Sequence, residues 1–178
     1  MRLRLASWTL WIFVIGTAFL LGGGVYEQTV VVPFWAGDAP RSLLQGNPLL
    51  PVPLHAGQVF WPIVTPGFMF IALAAFLTSF LTPRRQMAWR LASTSVFLLT
   101  TLATLTYFRP SIINMIVYHG AGQPADVLAA SARMWVSLNW VRVGAVLASL
   151  VMGVRALTVF HDKDEQNRKL VQEKGAQN

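Results

Sequence analysis

Four long apolar runs, separated by shorter polar segments, organise this chain. They cover residues 5–25, 59–81, 91–108 and 134–160. Each run approaches or exceeds the roughly 20 residues that a helix needs to cross the hydrocarbon core of a bilayer. Lipid offers no hydrogen-bond partners, so only helices or closed barrels span membranes, and continuous apolar runs are typical of helices. The pattern predicts an all-α polytopic membrane protein, with a bundle of four transmembrane helices at residues 5–32, 59–82, 88–108 and 125–160.

The segments outside the runs complete the predicted organisation. Residues 32–58 contain five prolines, which prevent one regular helix and predict a proline-rich outer loop over the bundle. We expect one domain over residues 1–162, followed by a charged helical tail at residues 163–178 in the cytoplasm. The first run also has the shape of a secretory signal peptide. Its length and the absence of an A-x-A site favour a helix that is retained.

Basic residues predict the orientation. Arg84, Arg85 and Arg90 lie in or beside the second connection, and the tail also carries arginines and lysines, whereas the other two connections are poor in both. By the positive-inside rule, both termini and the second connection are cytoplasmic, as in a protein of a bacterial inner membrane. This distribution explains most of the net charge of +7. Acids interleave with the bases of the tail, which favours a solvated helix near anionic lipid over a nucleic-acid partner.

Composition limits the available chemistry. The chain of 178 residues is 54% hydrophobic and 12% charged, and it has no cysteine, which removes disulfides, thiolate metal sites and thiol redox chemistry. Two of the three histidines, His55 and His119, fall in the outer connections, so a haem held between transmembrane histidines is not expected. A surface metal site at this pair is the open alternative, although loop histidines are more often solvated. We expect no metal and no cofactor.

One charge interrupts the last apolar run. Arg142 lies seven residues after Trp135, or about 10 Å along the helix axis. A guanidinium at this depth costs roughly 2.5–3.5 kcal/mol and cannot lose its proton, so it needs a partner or water. Trp135, Asn139 and Arg142 share one helix face, which predicts a polar stripe against protein or water. Glu27, the only acid before Asp38, either faces headgroups or turns inward as the counter-ion of Arg142, and opposite charges at this depth favour pairing.

These residues resemble a known family. The glycine-containing first helix that ends at Pro33 and two motifs, Pro110-x-x-x-Asn114 and Trp135-x-x-x-Asn139-x-x-Arg142, are similar to those of the anthrone oxygenase-like family. Its members are small four-helix membrane proteins, mostly uncharacterised and bacterial. The fungal members are associated with the oxidation of polyketide anthrones to anthraquinones by dioxygen, with no recognised cofactor.

The resemblance implies an outward-facing site for a hydrophobic aromatic or quinone-like small molecule. Arg142 would stabilise an anionic oxygen, Asn114 and Asn139 would orient it, and Glu27 or His119 would act as the base. These catalytic candidates are joined by four residues expected to bind the substrate: Trp35, Tyr107, His119 and Trp135.

A non-catalytic function is the alternative. Buried polar residues also hold transmembrane helices together, by about 0.6 kcal/mol each on average. The protein would then be an accessory or assembly subunit of a larger membrane complex, or a homo-oligomer. A transporter is least favoured, because the four runs show no internal repeat. The sequence leaves open whether the protein is an enzyme.

Overall fold

The part of the chain that the structure describes consists of helices joined by short turns. This computed structural model describes the backbone of residues 2–37, 39, 41–44, 53–116 and 122–176, and the side chains of residues 4–37, 39, 41, 43, 60–115 and 122–159. The predicted all-α fold is confirmed.

Two of the long helices contain a π-helical turn. Helix α1 (Arg2–Tyr26) continues through the turn π1 (Glu27–Val31) into α2 (Val32–Ala36), and helix α5 (Arg84–Ala103) continues through π2 (Thr104–Phe108) into α6 (Arg109–Ile116). The other helices are α3 (Arg41–Leu44), α4 (Pro53–Ser79) and α7 (Ala125–Ala176).

Among the described residues, four helical stretches are long and apolar enough to cross a membrane: Arg4–Ala36, Phe60–Ser79, Arg84–Met115 and Ala125–Val159. The prediction of four transmembrane helices is therefore confirmed. The first and third stretches continue beyond the predicted ends at residues 32 and 108, because the chain remains helical through Pro33 and Pro110. The predicted outer loop is shortened at both ends, by α2 and by the start of α4 at residue 53. The predicted tail continues α7 without a break as far as Ala176.

The four long helices form a ring in the order α1, α4, α5, α7, and each helix packs against its two neighbours. Neighbours are antiparallel: Thr9 near the start of α1 contacts Thr78 near the end of α4, with 2.8 Å between their hydroxyl oxygens. Similarly, Ser93 of α5 donates to the carbonyl of Ser149 in α7 at 2.6 Å. We call the end with the start of α1 and the turn at residues 80–83 the basal end. The end that carries α2, α3 and α6 is the distal end.

Two buried apolar clusters fill the bundle. The basal core consists of Leu10, Phe13, Val14, Ala72, Ala75, Phe97, Ala156 and Leu157. The distal core consists of Val32, Trp35, Leu43, Phe108, Met115, Leu128, Ala132 and Trp135. Large apolar side chains also cover the outside, among them Ile63 and Val141, which are 70% and 68% exposed. An apolar exterior of this kind fits contact with lipid.

Candidate binding site around Arg142

The two π turns have the same local cause. In each, a backbone N–H bonds to the carbonyl five residues before it: Val32 to Glu27, and Arg109 to Thr104. A proline follows one residue later, Pro33 in the first case and Pro110 in the second. Proline has no N–H, and its ring clashes with the carbonyl four residues earlier, so a widened turn accommodates it within a continuous helix.

Both π turns contact the same arginine of α7. Arg142 Nη2 lies 3.4 Å from Glu27 Oε2, and Arg142 Nη1 donates to Thr104 Oγ1 at 3.4 Å. The guanidinium also lies over the ring of Phe108, 5.2 Å from its centroid. The side chains of Arg142 and Glu27 are 14% and 17% exposed, so the pair is largely shielded. The expectation that Glu27 turns inward as the counter-ion of Arg142 is confirmed.

Helix α4 provides a neighbour for the carboxylate. The Trp61 side chain lies near Glu27. Its ring packs over α1 at Gly23, where an added Cβ would lie 3.4 Å from the ring. An alanine at this position would therefore make ordinary van der Waals contact with the indole. Glu27 thus bonds to Arg142 of α7 and has Trp61 of α4 as a neighbour.

A chain of amide hydrogen bonds lies beside the ion pair. Gln28 Nε2 donates to the Val136 carbonyl at 3.1 Å, and Gln28 Oε1 accepts a hydrogen bond from Asn139 Nδ2. Asn139 is fully buried, and its Oδ1 has no hydrogen-bond partner among the described residues. Gln28 was not among the residues predicted from the sequence. The available signal was a second polar residue next to Glu27 in an otherwise apolar helix.

The aromatic candidates form packed interior rather than the wall of a cavity. Trp35 and Trp135 meet edge to face at 5.3 Å, and Phe108 and Trp135 do so at 5.8 Å. Trp135 Nε1 also donates to the Phe108 carbonyl at 3.0 Å. Tyr107 packs against the same group. We call Trp35, Tyr107, Phe108 and Trp135 the distal aromatic cluster. It fills the space on the distal side of Arg142, so the expected outward opening of the site is absent from the described structure.

A small cavity lies on the basal side of Arg142 instead. Its volume is about 60 Å³, and it is bounded by α1, α4, α5, π2 and α7. Besides Arg142, its polar lining consists of four threonines: Thr65, Thr100, Thr101 and Thr104. Pockets for drug-sized ligands are about 300–1,000 Å³, whereas a water molecule takes about 30 Å³. In this conformation the cavity has room for a polar head group or a few waters, and not for three fused rings.

Two candidates are not placed in this buried set. Asn114 is exposed on α6, and His119 lies outside the described residues, as does the side chain of His55. The turn π2 adds one residue to the helix, which rotates everything after it by about 100° relative to an uninterrupted α-helix. The face occupied by Asn114 therefore cannot be extrapolated from α5. The structure brings together Glu27, Asn139, Arg142 and Trp135.

A second buried arginine lies near the basal end. Arg90 is fully buried, and Arg90 Nη1 donates to the Ala6 carbonyl at 2.8 Å. Its other contacts are neutral oxygens, including Thr78 Oγ1 at 3.1 Å and Ser79 Oγ at 3.4 Å. Within the described side chains, the Arg142–Glu27 contact is the ion pair found, and Arg90 has no carboxylate partner. From the sequence, Arg90 was interpreted only as a signal of orientation.

Comparisons with known proteins identify no relative of this chain. No protein-family model matches the chain, and searches of curated proteins and of solved structures find no match.

Proposed function

We propose that this integral membrane protein binds the polar head of a hydrophobic aromatic or quinone-like small molecule at Arg142, as a protein of the anthrone oxygenase-like type. The observation that supports this proposal is the pairing of Arg142 with Glu27 beside a threonine-lined cavity inside an apolar bundle. Ionisable residues within transmembrane segments are costly and commonly mark functional sites. Widened π turns are also frequent at functional sites, and two of them contact Arg142.

The proposed location is a bacterial inner membrane, with the basal end and both termini in the cytoplasm. Arg4, Arg84 and Arg85 are exposed at the basal end. Their position supports this orientation through the positive-inside rule.

The proposed chemistry is an oxidation by dioxygen. Glu27 takes a proton from the ring methylene of an anthrone-type substrate, and Arg142 stabilises the resulting oxyanion in a medium of low dielectric. The anion then reacts with dioxygen. One dioxygen is consumed per substrate, the methylene becomes a carbonyl, and the other oxygen atom leaves as water. The ring system requires more room than the present cavity, so the bundle has to open around it.

Binding and turnover of a hydroxyanthrone by the purified protein in mild detergent test this function. We expect quenching of tryptophan fluorescence on binding, oxygen uptake, and formation of the anthraquinone absorbance. Arg142→Lys and Thr104→Val should weaken binding, whereas Arg155→Met, which removes an exposed arginine of the same helix, should not. Equal binding by all four proteins would contradict a site at Arg142, and binding without oxygen uptake would restrict the protein to a binder.

A second candidate function is that of an accessory or assembly subunit of a membrane complex. The Gln28–Asn139 contact and the Arg142–Glu27 pair tie α1 to α7, as packing determinants would. Isolation from native membranes in mild detergent distinguishes the two. A stoichiometric protein partner in a preparation that binds no hydroxyanthrone would favour the subunit.

A further inference from the structure

The cavity beside Arg142 lies between two clusters of packed side chains. On its distal side lies the distal aromatic cluster, with ring contacts of 5.3 and 5.8 Å around Trp135. On its basal side the basal core begins, where the rings of Phe13 and Phe97 meet edge to face at 5.4 Å. Within the described part of the bundle, a molecule with several rings would therefore have to displace packed side chains to reach the cavity along the bundle axis.

Helix α4 is the weakest wall of the cavity. Only 11% of the 18-residue apolar segment of α4 is buried inside the bundle. The corresponding values are 33%, 28% and 22% for the stretches that contain α1, α5 and α7. Its contribution to the cavity lining is Trp61 and Thr65, and both are half-buried. Pro62 directly follows Trp61 and Pro66 directly follows Thr65, both inside the helix. Each proline removes one backbone hydrogen bond, so α4 can bend here at lower cost than an uninterrupted helix.

Trp61 covers the cavity on this side. Its side chain lies near the Glu27 carboxylate, and its ring meets Phe60 edge to face at 5.1 Å. Phe60 in turn contacts Phe19 of α1 at 6.1 Å between centroids. Displacement of Trp61 would enlarge the cavity and uncover the Glu27 carboxylate in the same movement. Access to Arg142 and access to Glu27 are thus coupled through one side chain.

We infer that ligands reach Arg142 sideways from the bilayer, through the α4 wall, and that Trp61 is the side chain that moves to admit them. This inference rests on the proposed function, and it specifies the ligand class as a membrane-dissolved molecule with a small polar head. A water-soluble anion would need an aqueous route along the bundle axis. A molecule dissolved in lipid needs only the displacement of the wall that is least buried.

Cysteine labelling tests the route, because the chain contains no cysteine of its own. The single substitutions Thr104→Cys and Thr100→Cys place a thiol in the cavity lining on the α5 side. The proteins are reconstituted into phosphatidylcholine vesicles and treated with pyrene maleimide, which partitions into lipid, or with a trimethylammonium methanethiosulfonate, which stays in water. Leu99→Cys, at a residue 65% exposed on the apolar surface, is the control for lipid access. Gln123→Cys, at an exposed residue before α7, is the control for water access.

We expect pyrene maleimide to label both cavity cysteines, and the charged reagent to label only the Gln123→Cys control. Addition of Trp61→Ala should accelerate cavity labelling about tenfold, a change of about 1.4 kcal/mol in the cost of opening, because the indole that lines this wall is removed. Labelling of the cavity by the charged reagent, or by neither reagent, would overturn the inference. Hydroxyanthrone binding by the unmodified protein is a separate measurement, so a water-accessible cavity that still binds this probe would overturn the route and leave the proposed function standing.

Discussion

Glu27 and Thr104 are the first residues of the two π turns, and both contact Arg142 at 3.4 Å. Each lies six residues before a proline, and the same local geometry therefore delivers a polar side chain to α7 from two helices that are not neighbours in the ring. The threonines four residues before the prolines match as well: Thr29 and Thr106 both donate to the carbonyl four residues earlier, at 2.8 and 2.9 Å. Arg142 is thus held between two locally equivalent turns.

Removal of one partner of the Arg142–Glu27 ion pair should destabilise the protein more than removal of both charges. Arg142→Met leaves a shielded carboxylate without its counter-ion, a change that typically costs about 3–5 kcal/mol. The double variant Glu27→Gln/Arg142→Met has no buried charge at this position, and we expect a loss of no more than about 1–3 kcal/mol, the cost of a buried amide without a partner. Thermal unfolding in detergent, followed by circular dichroism, measures the difference. If the double variant is as unstable as the single one, electrostatic pairing is not what Arg142 and Glu27 contribute.

Replacement of Arg90 by an uncharged residue should destabilise the protein less than replacement by a cation of another shape. The hydroxyls around it keep other partners when it is removed, because Thr78 and Ser79 donate to the carbonyls of Ala74 and Ala75 at 2.8 and 2.7 Å. We therefore expect Arg90→Met to change stability by no more than about 1 kcal/mol.

Arg90→Lys keeps a buried cation but loses the forked geometry that reaches α1 and α4 together, and we expect a loss of about 1.5–3 kcal/mol. Unfolding midpoints of the two variants in one detergent provide the comparison. A methionine variant less stable than the lysine variant would show that the charge itself holds the three helices.

The length of the apolar runs was sufficient to predict the helices, because a bilayer requires about 20 apolar residues for each crossing. The pairing of Glu27 with Arg142 was predictable for a related reason: two opposite charges in an apolar chain reduce each other's cost. Arg90 was not recognised, because in the sequence it continues a basic connection that the positive-inside rule already explains. The signal was present in α5 itself, where Gln86, Arg90, Ser93 and Thr94 share one helix face and are all buried.

The distal half of the bundle was harder to predict from the sequence than the basal half. Pro33 and Pro110 were interpreted as the ends of helices, which is their usual position. In the structure a π turn before each proline allows the helix to continue, and the added residue changes the face on which later side chains lie. This is why Trp135 and Arg142, on the uninterrupted α7, were assigned to one face correctly, whereas the position of Asn114 beyond π2 was not foreseen.

Gly16 should be the least replaceable glycine of α1. A Cβ at this position would overlap Phe68 Cε1, so even alanine forces the ring away from its contact with Phe19. We expect Gly16→Ala to cost about 1–3 kcal/mol. Gly22 is the matched control in the same helix, because a Cβ added there would have no neighbouring atom within 4 Å, and Gly22→Ala should be neutral or add up to about 1 kcal/mol. Equal unfolding midpoints for the two alanine variants would mean that the Phe68 ring relaxes without cost.

The two amides beside the ion pair should respond unequally to replacement by leucine. Gln28→Leu deprives Asn139 Nδ2 of its acceptor, and since Asn139 Oδ1 has no partner among the described residues, the whole buried amide is then unsatisfied. Asn139→Leu leaves Gln28 Oε1 without a donor but also removes the unpartnered Oδ1, and Gln28 Nε2 keeps the Val136 carbonyl. An unsatisfied buried polar group costs about 1–3 kcal/mol, so we expect Gln28→Leu to be the more destabilising by about that amount. Unfolding of both variants and of Gln28→Leu/Asn139→Leu in detergent checks the order. A greater loss for Asn139→Leu would mean that its Oδ1 accepts a hydrogen bond from a bound water or ligand.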